Sequence, residues 1–129
     1  MNLIYQLKIP KAKSIKFIEN FFIKKGLKLL VAKSKDKPLS VNQMIDHKPY
    51  IPELSDLYNL YQYVLINKRT TIFEFGSGWS TLIFSLALKE LSDKFSNEVK
   101  SLRRNNPFEL FVVENENKYL NITKKRILK

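Results

Sequence analysis

The sequence predicts an α/β fold in which a partial, doubly wound parallel sheet follows a helical N-terminal extension. Three observations carry that reading. From residue 53 the apolar pattern alternates between helical and strand periods in the order helix, strand, helix, strand, helix. Strands separated by helices pair in parallel through crossover connections. The first strand also runs directly into a glycine turn that opens a helix. The chain divides accordingly into a basic helical extension and linker, residues 1–52, and an α/β portion, residues 53–129.

Residues 14–30 (SIKFIENFFIKKGLKLL) place Ile15, Ile18 and Phe22, with Phe17 and Phe21, at helical spacing. Lys16, Glu19, Lys24 and Lys25 fall largely on the other side, and Gly26 is where this amphipathic helix would break. Residues 31–52 contain KSKDKP and HKPYIP and read as an exposed connection, because Pro49 and Pro52 stop a helix from entering intact. In residues 53–68, Leu54, Leu57, Tyr58, Tyr61, Val64 and Leu65 share one helix face. Thr70–Phe75 is a β-branched and aromatic run, the mark of a strand, and it ends in Gly76-Ser77-Gly78.

Trp79 to Leu91 follows as a helix with the stripe Leu82, Ile83, Leu86, Ala87 and Leu91. Residues 92–107 are polar and basic, and either extend that helix or form a surface insertion. Phe108–Val113 reads as a second strand bounded by Glu114. Residues 116–128 then set Tyr119, Leu120, Ile122 and Ile127 at loosely helical spacing.

With 44% hydrophobic and 27% charged residues in 129, the chain has the composition of a folded domain. It has no cysteine, which excludes disulfide frameworks, thiolate zinc sites and cysteine nucleophiles. The lone histidine, His47, argues against a histidine-built metal site. Lysines arrive before any apolar run reaches signal-peptide length, and no window approaches 18 uninterrupted apolar residues, so the expected setting is cytoplasmic with no membrane span.

The net charge of +11 sits on the two flanks: residues 1–48 hold 11 Lys+Arg against 3 Asp+Glu, whereas residues 49–91 hold 3 against 4. Such a charge invites nucleic acid or another anionic partner. Yet 19 of the cations are Lys and only 4 are Arg, the residue whose planar fork reads phosphates and base edges. The chain also carries 11 Asn and 12 Ile against 3 Ala, the drift of an AT-rich coding sequence, which accounts for the lysines without any ligand.

Two glycines between a strand and a helix allow a tight turn and a close ligand approach, and the helix beyond presents free N–H groups to that ligand. The full phrase, Ile72-Phe73-Glu74-Phe75-Gly76-Ser77-Gly78-Trp79-Ser80-Thr81, resembles motif I of class I S-adenosylmethionine-dependent methyltransferases, a Rossmann-like fold family. The resemblance implies that S-adenosyl-L-methionine is the cofactor. Glu74 would hold its cationic methionine end, directly or through water, while Phe75, Gly76, Ser77, Gly78, Ser80 and Thr81 form the turn around it. Ser80 stands where the family often has a third glycine. Trp79 either covers the cofactor or packs against the sheet. A Walker-type phosphate loop is excluded because no GK[ST] follows, and a dinucleotide fingerprint would want glycine at Thr81.

The second matching element is Phe111-Val112-Val113-Glu114-Asn115, which looks like the end of the family's second strand and its acidic residue. Glu114 would accept the ribose hydroxyls, with Asn115 beside it. Gly78 and Glu114 lie 36 residues apart, against about 20 in the related dinucleotide fingerprint. An insertion within 92–107 would absorb the excess and leave both strand ends adjacent. Each acid also has a plainer role, Glu74 as a strand-end carboxylate paired with a lysine and Glu114 as a cap for the last helix.

The resemblance covers about residues 53–129, up to the second strand, so the expectation is the N-terminal portion of a methyltransferase, truncated and inactive alone. No residue reads as a catalytic base: His47 lies upstream, in a proline-bounded loop, as a surface residue. The competing expectation is a non-enzymatic basic α/β module that binds nucleic acid. A second copy or partner chain covering the open sheet edge is a third.

Overall fold

The first helix begins at a hydroxyl: Ser14 Oγ accepts from Phe17 N at 3.2 Å, satisfying one of the N–H donors that a helix start leaves free. In this computed structural model, which describes residues 6–46, 48–101 and 106–128, α1 spans Ile15–Lys24. It stops at Gly26, whose φ of +82° only glycine adopts without strain. Gly26 N donates to Ile23 O at 3.0 Å and Leu27 N to Phe22 O at 2.9 Å, the paired bonds of a Schellman stop. The break therefore falls where the sequence puts it.

The next stretch corrects the expectation of an exposed connection from residue 31. α2 runs Lys28–Lys33 and buries Leu30 and Val31, and a one-turn helix, α3, spans Val41–Ile45. Leu30 and Val31 stay helical because they complete an apolar face on the core. α3 forms because Ser40 and Gln43 cap each other reciprocally, Gln43 N on Ser40 Oγ at 3.3 Å and Ser40 N on Gln43 Oε1 at 2.9 Å. His47 lies outside the described residues.

From residue 53 the predicted order holds. α4 (Leu54–Ile66) leads to β1 (Thr71–Phe75), α5 (Trp79–Lys100), β2 (Glu109–Val113) and α6 (Asn117–Ile127). Of the two readings of residues 92–107, the structure adopts the helical one as far as Lys100, since partly buried Phe95 and buried Val99 continue the Leu91 stripe at four-residue intervals. β2 starts one residue later than expected because Phe108 has φ +61°, outside the strand region.

β1 and β2 pair in parallel, Thr71 opposite Glu109 and Phe75 opposite Val113. The architecture is thus mixed helix and strand, with six helices and a two-stranded parallel sheet among the described residues. Its core lies among the helices. Leu57, Tyr61 and Val64 of α4 meet Ile83, Ala87 and Leu91 of α5, and Ile18 and Phe22 of α1 join the same cluster, as do Leu30 and Val31 of α2. Ile72 and Leu110 pack the sheet's inner face onto this cluster.

The outer face is different, because strand side chains alternate. Phe73, Phe75, Phe111 and Val113 share it, at 58%, 84%, 40% and 51% exposure, with no element over them among the described residues. No helix among those residues is long and apolar enough to cross a membrane.

One polar cluster joins three helical segments at the core's edge. Glu90 of α5 accepts from the Tyr61 hydroxyl of α4 and from Lys25 Nζ at the end of α1. Burial pushes the Tyr61 phenol far above its ordinary value, and its bond to Glu90 pushes it the same way. Burial also disfavours the Glu90 carboxylate, but the bonds from Lys25 and Tyr61 outweigh it and hold its pKa below 4.5. A carboxyl lowered on folding stabilises the native state above its unfolded pKa, and the gain is lost as pH falls through the folded value. Glu90→Gln is therefore expected to cost about 1 kcal/mol at neutral pH and to flatten the loss of stability below about pH 4.5, as read from urea unfolding across pH.

Candidate functional site

The site begins with ladder geometry. Gly76 N donates to Val113 O at 2.7 Å, which carries the strand pairing one residue beyond β1 and lays the glycine turn against the end of β2. Gly76 takes φ +82°, so its glycine is required by the backbone. Gly78 is extended, and a Cβ built there meets nothing within 4 Å. Its lack of a side chain therefore leaves open space on the surface of the turn.

Glu74 faces inward, under the first turn of α5. Its Oε2 accepts from Thr81 Oγ1 at 2.7 Å and its Oε1 from Ser80 Oγ, while Thr81 Oγ1 accepts in turn from Gly78 N at 3.1 Å. The carboxylate ties strand end, turn and helix start together. The plainer role of a strand-end acid is thus filled by hydroxyls rather than by a lysine.

Glu114, one residue past β2, reaches the same turn from the other strand. Its Oε2 accepts from Ser77 N at 2.8 Å and Ser77 Oγ at 2.9 Å, and its Oε1 accepts from Glu116 N at 3.0 Å. The Glu116 amide is the main cause of a lowered pKa, with the Ser77 hydroxyl next, so the group is ionised at neutral pH. A carboxylate offers about four acceptor positions; the Ser77 amide and hydroxyl and the Glu116 amide take three, the Asn115 amide also approaches it, and the Ser77 hydroxyl can rotate away to free one. The extra residues between Gly78 and Glu114 do not separate the strand ends: α5 runs on to Lys100, and β1 and β2 still pair through Phe75 and Val113.

Two further predicted residues stand apart from this network. Phe75 alternates onto the bare outer face, away from Glu74. Asn115 is exposed beyond Glu114. Trp79 is 9% exposed and packs within the helical core, with the Arg126 guanidinium of α6 stacked on its ring at 3.8 Å.

Beside the turn lies a cleft of about 440 Å³ between the 48–52 segment, the start of α5 and one face of α6. Its walls include Lys48, Tyr50, Ser77, Trp79, Tyr119 and Arg126. The volume is that of a small-ligand site. Burial draws the Arg126 guanidinium pKa down. The Tyr119 phenol is pushed up, first by burial and then by the negative charge of Glu116. Sequence reasoning missed this cleft. Its one legible signal was Tyr119, Thr123 and Arg126 at spacings of four and three, which share a helix face.

No family model matches the chain, and no match was found among curated proteins or solved structures.

The two glycines are expected to behave differently when substituted. Gly76→Ala forces a side chain into the left-handed region and should lower stability by about 1 kcal/mol, whereas Gly78→Ala should leave stability within about 0.5 kcal/mol. Denaturant midpoints of the two variants check the contrast.

Proposed function

We propose that this chain is the S-adenosylmethionine-binding portion of a class I methyltransferase with a Rossmann-like sheet, and that it transfers no methyl group by itself. The observation that carries the reading is the ionised Glu114 carboxylate lying on the glycine turn, held by Ser77 N at 2.8 Å. Vicinal ribose hydroxyls are donors, and Glu114 offers them the acceptor position that Ser77 Oγ can vacate. Charge-assisted bonds of this kind are among the stronger hydrogen bonds once a bound ligand shields them from water. The open space at Gly78 admits the cofactor's backbone-facing side. Ser77, Ser80 and Thr81 supply hydroxyls at the turn.

Glu74 supports the reading at one remove. Both its oxygens are engaged by Ser80 and Thr81, so it shapes the turn and reaches the cationic methionine end by its field or through water. The bound cofactor supplies an electrophilic methyl group on sulfur. Transfer further demands an acceptor aligned in line with that methyl.

Isothermal titration of the full chain with S-adenosylmethionine and S-adenosylhomocysteine tests this. Both are expected to bind, and Glu114→Ala to weaken them at least about tenfold. Heat from neither ligand overturns the reading. The basic-module alternative is carried by the exposed lysines of the flanks, and it predicts oligonucleotide binding that falls steeply with salt.

A further inference from the structure

We propose that the cleft between the 48–52 segment, the N-terminal end of α5 and α6 is a binding site for a phosphate monoester carried on an aromatic or otherwise flat apolar body. This goes beyond the cofactor reading in its ligand and in using neither Glu74 nor Glu114, although Ser77, Gly78 and Ser80 of the turn line this cleft too. Three independent features converge there.

The first is Arg126. It is drawn into the fold against Trp79, and among the described residues no carboxylate lies within 4.0 Å of it. A partly buried cation without a counter-charge is costly, and an anion bound from solution removes that cost. The second is Thr123, one turn earlier on the same face of α6. It is 3% exposed, lines the cleft, and its Oγ1 has no hydrogen-bond partner. Buried hydroxyls are almost always paired, so an orphan in a cleft wall marks the place of a missing partner. The third is the start of α5, a helix of 22 residues whose N-cap, Gly78, has no side chain to cap the amides after it, its own N–H being held by Thr81 Oγ1. Those amides and the helix dipole favour negative charge.

Charge selects a dianion over a carboxylate. Lys48 and Arg126 bring two positive charges to the cleft and no Asp or Glu is part of its lining, while Glu114 and Glu116 act on Tyr119 from its rim. Glu74 lies beneath the first turn of α5, with its oxygens already on Ser80 and Thr81. The donors, a guanidinium, an ammonium, a hydroxyl and helix amides, outnumber the oxygens of a carboxylate but match the three terminal oxygens of a phosphate. Tyr50 and Tyr119 supply the flat walls for the body.

The chain contains one tryptophan, Trp79, in the wall itself, so its fluorescence reports occupancy. Phenyl phosphate, inorganic phosphate, benzoate and phenol are titrated into the full chain at constant ionic strength, with excitation at the red edge of the indole band. The expected result is saturable quenching or shift by phenyl phosphate, weaker binding of inorganic phosphate and benzoate, and none by phenol. Arg126→Gln should weaken phenyl phosphate at least about tenfold, with Arg126→Lys between it and the parent.

Thr123→Val separates a ligand role from a structural one. Removing an orphan hydroxyl should leave the melting temperature of the free chain unchanged or raised, while phenyl phosphate binds several-fold more weakly. Equal binding of phenol and phenyl phosphate, no saturation, or binding unchanged in Arg126→Gln would overturn the site. The cofactor reading fails separately: Glu114→Ala should weaken S-adenosylmethionine binding, while phenyl phosphate binding should be retained or tightened, because the carboxylate removed lies on Ser77 at the same cleft.

Discussion

Parallel pairing of β1 with β2, in one register, is the constraint on which the rest depends. With Phe75 opposite Val113, both strands end at the same level, and the Gly76 to Val113 hydrogen bond lays the turn against the second strand. A slip of β2 by one residue would turn Leu110 outward and Phe111 inward, which the helical core beneath could not accept. Burial of two aliphatic side chains therefore fixes where Glu74 and Glu114 stand. The same pairing sets a demand on α5. At 1.5 Å per residue its 22 residues reach about 33 Å, roughly twice the span of a five-residue strand, so the helix overhangs the sheet and the chain must return before β2 begins.

Much of this was legible in the sequence because local periodicity decided it. The buried stripes of α4 and α5, the stop at Gly26 and the alternation of helices with strands are each set by residues within a few positions of one another. What was not legible depends on adjacency in space. Whether Glu74 would meet a lysine or hydroxyls turned on how α5 sits over the strand, and the hydroxyls six and seven positions later proved to be within reach. Phe75 reads as part of the motif by its neighbours, yet alternation sends it to the other face. The cleft was hidden for the same reason: Lys48, Trp79 and Arg126 come from three segments spread over most of the chain, and no window contains two of them. The excess of residues before Glu114 looked like a possible insertion because helix extension and insertion cost the same number of letters.

The positive charge also acquires structure. Lys25 neutralises Glu90 at the edge of the core, and Arg126 lies on Trp79, so two cations of a +11 chain are committed to contacts that border the core. The middle of the sequence is nearly neutral because it supplies that core, and the flanking segments meet it with their cations at a few defined points. Composition alone gives no sign of which lysines or arginines do this.

The order in which such a molecule can assemble follows from its one non-local pairing. Thr71 must find Glu109 across 38 positions, and an unstructured loop of that length raises the entropic barrier to closure. α5, formed early from contacts along its own length and docked on α4, shortens the effective loop to the two turns at its ends. Helical association is then the early event and sheet formation the late one. Until the strands zip, their four open hydrogen-bonding edges are all available to other chains, so refolding yield should fall with protein concentration well before native stability is in question.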